Sequence, residues 1–325
     1  MKFPVFDLHC DTAYALLGEG LRDFGSIRQN GYHIDLTRAQ KYPGYAQCFA
    51  CFTSTEPEIL KGLQPHELLE RELAVLMREI GANNDLIQQA FSAKEIADNL
   101  NNGKMSAIFT IEGPAGFGYD PELLEDLYKI GFRISTLGWN EENILAGSCV
   151  TGGGLTDTGK AYVVEAQRLG MLIDVSHISD EGFWDIIHCT KAPVIATHSN
   201  SRAVCNVPRN LTDDMFRGIM EAGGVVGINL YTDFLGEKAT LDTVCDHIVH
   251  FLEIDTEGRH IALGGDLDGM NKLPLGFTGV ESYSDLAEAL IKRGVGESLT
   301  FNIFWNNALN VMERCLPNQT KQSLI

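Results

Sequence analysis

The sequence predicts a single closed (β/α)8 barrel of the TIM-like kind, and three observations predict it. Eight short apolar runs alternate with helical patterns along the chain, an order that gives a parallel sheet covered on both faces. Polar residues able to bind metals recur where those runs end, and such a barrel collects its chemistry at the C-terminal ends of its strands. The first run is not followed by G-x-G-x-x-G, which a doubly wound sheet for dinucleotides would carry there. No low-complexity stretch, linker or repeat interrupts the chain, so one domain over residues 1–325 is expected.

The elements follow in order. Lys2–Leu8 (KFPVFDL) is the first run, aromatic and β-branched, and it leads into His9-Cys10-Asp11. Positions two apart on an extended chain share a face, so His9 and Asp11 project together and Cys10 points away. Residues 18–45 lack periodicity and read as a loop excursion. Gln47–Thr53 (QCFACFT) is the second run. Its Cys48 and Cys51 have CxxC spacing, but residues three apart on a strand face opposite ways, so they read as buried free thiols. Pro65 and Glu67 open a helix that runs to Ile80, both residues suiting a first turn. Ala93–Leu100 is a further short helix.

Regular alternation begins there. The remaining runs are Ser106–Ile111, Phe132–Leu137, Met171–Val175, Pro193–Thr197, Gly224–Asn229 and His260–Gly264. Helical patterns at Pro121–Ile130, Gly159–Leu169, Glu181–Cys189, Thr212–Ala222 and Leu241–Ile254 separate them, and helices near Tyr283–Lys292 and Leu299–Cys315 end the chain.

Composition narrows the function. Hydrophobic residues make up 44% and charged residues 21%, as in an ordinary globular protein with a sizeable core. The net charge of -19, from 44 acidic against 25 basic residues, disfavours nucleic acid and anionic membranes as partners. No stretch is apolar enough to span a bilayer and the N-terminus carries no signal-peptide pattern, so a cytoplasmic protein is expected. The eight cysteines form no evident disulfide or zinc framework.

Strand ends carry the chemistry. The first run ends at His9 and Asp11, the third at Glu112, the fifth in Asp174-Val175-Ser176-His177 and the sixth in Thr197-His198. The seventh leads into Asn229-Leu230-Tyr231 and the eighth into Gly264-Gly265-Asp266-Leu267-Asp268. One histidine at a strand end is usually structural; several converging with carboxylates point to a site. Nitrogen and oxygen donors without sulfur suit a borderline divalent cation. Five ligands are too many for one tetrahedral zinc but suit two metals sharing a carboxylate, about 3.5–4 Å apart, with a hydroxide between them.

In combination, DLHCDT, IEG, GMLIDVSHIS, ATHSNSRAVCNVPRNLTDD and GGDLDG resemble the membrane (renal) dipeptidase family of binuclear zinc peptidases, over about residues 5–270. The resemblance implies two Zn2+ per chain, one held by His9, Asp11 and Glu112, the other by Glu112, His177 and His198, with Glu112 bridging. It makes Asp266 the group that handles protons at the substrate amine or leaving nitrogen, and Arg209 the receiver of the terminal carboxylate, where a forked guanidinium contact makes physical sense. Tyr231 falls at a substrate-contacting tyrosine. Trp139 stands where the animal members carry a substrate-binding histidine; an indole N–H donates a hydrogen bond but cannot become cationic.

The expected function is therefore hydrolysis of dipeptides, including ones with a C-terminal D-residue, by a metal-bridging hydroxide. Rival readings are another amidohydrolase activity, on lactones or other amides, and a metal-holding protein without turnover. Arg209 and the missing His-x-His pair at the first run argue against deamination. The partner is a small peptide; pairing of two copies through apolar outer helices is a further expectation. Gly154–Ala161 nearly matches a phosphate-binding loop but lacks the final hydroxyl and places Asp157 in the cradle, so it reads as a loop entering a helix. His247 and His250, three apart, are expected on the outer face of their helix. Asp268 reads as a partner of Asp266 or a brace of the turn through Gly269, and Asp7 as an orienter of a ligand or a polar residue of the barrel floor.

Overall fold

The computed structural model describes residues 2–22 and 25–315; residues 1, 23–24 and 316–325 of the expected 1–325 domain lie outside the described residues. Nine parallel strands form one sheet: β1 (Val5–Cys10), β2 (Tyr45–Phe52), β3 (Ile87–Gln89), β4 (Met105–Glu112), β5 (Phe132–Thr136), β6 (Leu172–Asp174), β7 (Val194–Ile195), β8 (Val226–Ile228) and β9 (Ile261–Leu263). Eight of them run in the order β7-β6-β5-β4-β2-β1-β9-β8 around the barrel. A bridge between Ala196 and Val226 joins the two ends, through Ala196 N–H to Val225 O (3.0 Å) and Gly227 N–H to Ala196 O (2.8 Å). The result is a nearly closed (β/α)8 barrel with helices between the strands, as the alternation predicts.

The ninth strand corrects the sequence reading. Ile87–Gln89 pairs with Met105–Ala107 at the start of β4, while β5 pairs with that strand only from Phe109 onward. Ile87-Gln88-Gln89 is mostly polar, so it lacks the apolar run by which the other short strands stand out. The excursion at 18–45 is also less featureless than expected, since Leu36–Ala39 is a helical turn capped by the Asp35 side chain. A second missed turn, Thr12–Leu16, follows Asp11 directly.

Side-chain parity decides what reaches the barrel mouth. Phe6 and Leu8 of β1 join the inner cluster with Cys48, Ile108, Ile134 and Ile195, whereas Val5 and Cys10 face the helices in the outer cluster. Strict alternation would put Cys10 on the side of Phe6. A bulge between Asp7 and Cys10 flips it, three residues of β1 answering two of β2. The same flip turns His9 and Asp11 into the mouth, the usual service of a bulge beside a site. On β2, Cys48 faces inward and Cys51 outward, as the spacing predicts.

The bottom of the barrel is closed by the last helix. Trp305, Ala308, Val311 and Met312 pack into the inner cluster, with the Trp305 ring 5.7 Å from that of Phe6. The predicted Leu299–Cys315 helix is present as Glu297–Phe301, a π-helical turn over Asn302–Asn306, and Asn307–Cys315. At the opposite end the seam needs glycine. A Cβ on Gly227 or Gly264 would lie 2.0 or 1.7 Å from the Thr197 carbonyl oxygen, so these two residues let the segment carrying His198 sit against its neighbours.

Candidate metal centre

Glu112, last residue of β4, stands among three imidazoles. Its Oε2 lies 3.2 Å from His9 Nε2, while its Oε1 lies 3.0 Å from His177 Nε2 and 3.6 Å from His198 Nε2. Asp11 Oδ2 is 3.5 Å from His9 Nε2, and Asp266 Oδ1 is 3.9 Å from it. All six side chains are largely withdrawn from solvent. The donor atoms of His9, Glu112 and His198 lie within mutual reach of a cation, as do those of His9, Asp11 and Asp266. These triads share His9, whereas the sequence grouping shares Glu112.

The surroundings fix which nitrogen of each ring is available. The Thr197 hydroxyl donates to Asp174 Oδ2, so its oxygen is left to accept from His198 Nδ1 at 2.7 Å. Asn140 Oδ1, an acceptor only, lies 3.0 Å from His177 Nδ1. Both rings thus carry their proton on Nδ1 and turn bare Nε2 lone pairs inward, 3.1 Å apart. Two lone pairs at that distance repel unless a cation lies beside them. Among the described residues His9 Nε2 and Asp11 Oδ1 are likewise buried without a hydrogen-bond partner. The donor set and its orphaned atoms fit a divalent metal centre.

Electrostatics follow from burial and crowding. Burial works against a charged His9, yet the Glu112 and Asp11 carboxylates outweigh it and raise its pKa well above the ordinary imidazole value. Burial likewise works against a charged Glu112, but His9 and His177 hold its pKa well below the carboxylate range. Asp11 is pushed well up by burial and by Glu112. His177 is lowered to about 4 by burial and by the Arg209 charge. Asp266 is raised by burial, against the pull of His9.

Backbone and second contacts hold the ring of residues in place. Asp7 accepts from the N–H groups of His9 and Gly265 (both 3.0 Å) and from the Tyr283 hydroxyl. It therefore orients the backbone of both strand ends rather than a ligand's ring. Asp268 accepts from Thr12 Oγ1 (2.7 Å) and from the His33 N–H (2.6 Å), tying the mouth to the excursion. His177, Asp266 and Asp268 all adopt positive φ (69°, 57° and 71°), local strain of the kind concentrated at functional sites. The sequence alone assigns no role to Asn140, Asp174, Thr197 or Asn229, the last of which donates to Asp266 Oδ2 at 3.1 Å. All but Asn140 stand in or directly after the apolar runs, which is the signal that could have found them.

A model of the membrane dipeptidase family, peptidase family M19, matches residues 1–323. The chain belongs to that family. A protein of Schizosaccharomyces pombe named an uncharacterized dipeptidase is 36% identical over 227 residues, 68% of this chain and 55% of that one, so the match spans about half of the relative's length. A metallo peptidase of Rhodobacter sphaeroides, solved with a phosphinate mimic of the dipeptide L-Ala-D-Ala, superposes with a TM-score of 0.87 at 26% identity, over 96% of this chain and 99% of the other. A solved family M19 metallo peptidase, dipeptidase AC, gives a TM-score of 0.88 at 27% identity, over 97% and 99% of the two chains.

In this member of the family a cavity of about 560 Å3 opens over the centre, lined by Asp11, Glu112, His177 and Asp266 together with Trp139 and Tyr231. Tyr231 packs edge-on against Phe234 at 4.8 Å. Arg209 is not among the lining residues. It is buried, donates from Nη1 to Ser199 Oγ (2.7 Å) and from Nη2 to His198 O (2.9 Å), and lies 5.6 Å over the Phe234 ring. Its Nε–H has no acceptor among the described residues.

His247 corrects the sequence reading. It is fully buried, not on the outer face: its Nδ1 accepts from Ser201 N–H and its Nε2 donates to Leu235 O, both at 3.1 Å. It thereby anchors the loop between His198 and Arg209. His250 is partly exposed and pairs with Asp213 at 2.8 Å. Among the described residues no helix is long and apolar enough to cross a membrane.

Proposed function

We propose that the protein is a dinuclear zinc dipeptidase, acting on dipeptides that carry a free C-terminal carboxylate. The observation that carries this reading is Glu112, whose two oxygens face imidazoles on different sides at the base of the cavity. Its position suits a bridging ligand, with His9 and Asp11 on one side and His177 and His198 on the other. When bound, a zinc pair supplies an activated water at neutral pH and polarises the scissile carbonyl.

The chain's own groups supply the rest. Asp266 is anchored through Oδ2 by Asn229, which leaves Oδ1 to hold a proton and pass it to the leaving nitrogen. Arg209 packs against Phe234 of the cavity lining, and its positive charge and unpaired Nε–H suit the terminal carboxylate. Trp139 and Tyr231 bound the space in which the peptide lies. A single domain over 1–325, a cytoplasmic setting in keeping with eight free thiols, and pairing of two copies belong to the same proposal.

The test is metal content of the purified protein, with hydrolysis of L,L and L,D dipeptides before and after chelation. Two zinc ions per chain, and cleavage lost on chelation and restored by zinc, are expected. Metal without cleavage of any dipeptide would turn the reading toward another amide or a lactone.

A further inference from the structure

One wall of the cavity, of which only Trp139 has been given a part, takes no part in the chemistry above. Tyr14, Phe52 and Trp139 form a connected aromatic row along it. Tyr14 meets Phe52 edge-on at 5.8 Å, Phe52 meets Trp139 edge-on at 5.1 Å, and the Trp139 ring stands 6.2 Å from His177. Ile59 extends the row at its outer end, where the Tyr14 hydroxyl donates to the Ile59 carbonyl at 3.0 Å. That bond occupies the one polar atom of Tyr14, so the ring offers carbon to the cavity.

The row is built into the fold. Phe52 ends β2 with the inward parity of Cys48, Tyr14 sits on the helical turn after Asp11, and Trp139 follows β5. Edge-on contacts lock the rings against one another, so an apolar surface is present before any ligand arrives. The lining also includes Asp266 and Asp268, carboxylates not assigned to the metals, whose negative charge disfavours an acidic side chain.

We propose that this wall makes the enzyme selective for dipeptides bearing a bulky apolar or aromatic side chain, with Phe52 and Trp139 as the specificity-determining residues. The inference rests on the dipeptidase reading. It concerns the side chain, not the peptide bond or the terminal groups. In an apolar pocket each lost methylene is worth about ten- to two-hundredfold in specificity, so replacing Phe or Leu by Ala should lower kcat/KM at least tenfold.

The experiment measures kcat/KM for dipeptides with Phe, Leu, Ala or Asp at each position in turn, on the zinc-loaded protein. Calorimetric binding of phosphinate mimics carrying Phe or Ala is measured beside it. The expected result is Phe and Leu above Ala by tenfold or more at one position, Asp lowest, and that ratio reduced to within threefold in Trp139→Ala and Phe52→Leu. A ratio taken within one preparation is unaffected by a fraction of unfolded variant. Equal turnover and equal binding of Ala and Phe compounds overturn the wall while leaving the peptidase. The same ranking in binding without any turnover keeps the wall and overturns the peptidase. Neither binding nor turnover overturns both.

Discussion

His177 and His198 turn their Nε2 atoms toward each other across 3.1 Å, each with its Nδ1 held by a neighbouring oxygen. The arrangement is unfavourable for two neutral rings and becomes favourable when a cation takes both lone pairs. Metal binding should therefore stabilise the folded chain. A ligand at a hundred times its Kd adds about 2.7 kcal/mol, or roughly 5 °C in a protein of this size. Calorimetric scans with and without a chelator, alongside zinc analysis, check this. Identical scans would contradict it.

The relay from Asp174 through the Thr197 hydroxyl to His198 should matter to metal affinity more than to folding. Asp174 also accepts from Ser176 N–H (2.8 Å) and Thr197 N–H (2.9 Å), so it stays partnered when the hydroxyl is removed. Thr197→Val keeps the shape of a buried residue while freeing the His198 tautomer. Disturbing such a partner typically costs about 10–100-fold in metal affinity. A zinc competition titration should show that loss for one of two ions. Unchanged affinity for both would mean that the ring is oriented by packing alone.

How far the sequence reaches is shown by β1. The spacing of His9 and Asp11 places them on one face, but only the bulge between Asp7 and Cys10 decides that this face is the barrel mouth. A bulge depends on the partner strand's register, which no local pattern records. The alternation of runs and helices is legible because even the short strands β6 to β9 sit in continuous apolar runs; β3 does not, since two of its three residues are glutamines. The donors at the strand ends could be picked out because polar residues ending apolar strands are conspicuous. Asn140 was not, because its role exists only through the loop that brings it to His177. His247 was misplaced for a related reason. An i, i+3 histidine pair on an amphipathic helix looks external, and the chain segments at Ser201 and Leu235 that cover it come from elsewhere in the sequence.

Glu72 gives a pH signature. It is fully buried on the helix Pro65–Ala82, and among the described residues no group lies in good hydrogen-bonding geometry to its carboxyl oxygens, the Phe52 backbone N–H offering only a weak counterweight. Burial, then the nearby Asp11, raise its pKa well above the ordinary glutamate value of 4.5. A raised acid binds its proton more tightly when folded. Its contribution is therefore most favourable below pH 4.5 and is lost as pH rises toward the folded pKa. Glu72→Gln removes the charge at little change in shape. Its stability relative to the parent, measured by urea unfolding, should be about 1–3 kcal/mol higher at pH 8 than at pH 4.5. A pH-independent difference would refute the account.

His247 predicts the opposite slope. Burial lowers its pKa from 6.5 to about 4, so the unfolded chain takes up the proton first as pH falls. Its stability contribution is complete above pH 6.5 and is lost between there and about pH 4, an amount of about 3 kcal/mol for that shift. Protonation would set an Nδ1–H against the Ser201 N–H that Nδ1 now accepts. In histidine NMR a resonance that titrates near 4, distinct from that of His177, should vanish in His247→Gln. Titration of that resonance near 6.5 would show that the ring is not held as described.

Arg209 offers the sharpest test of substrate orientation. Two of its donors are spent on Ser199 Oγ and His198 O, and its Nε–H is buried without an acceptor. A buried donor left unpaired costs about 1–3 kcal/mol, a cost that a substrate carboxylate would relieve. Because Arg209 also touches the backbone of His198, its removal alone could act through the metal centre. The comparison that separates the two effects pairs Arg209→Met with a dipeptide and its C-terminal amide. If Arg209 receives the carboxylate, the parent should prefer the free acid by about 10–100-fold in kcat/KM, as expected for a charge-assisted hydrogen bond of about 1.5–3 kcal/mol. The variant should then cleave acid and amide alike, with KM for the acid raised more than kcat is lowered. A variant that loses kcat equally on both, with the acid preference intact, would instead make Arg209 a support for the His198 backbone.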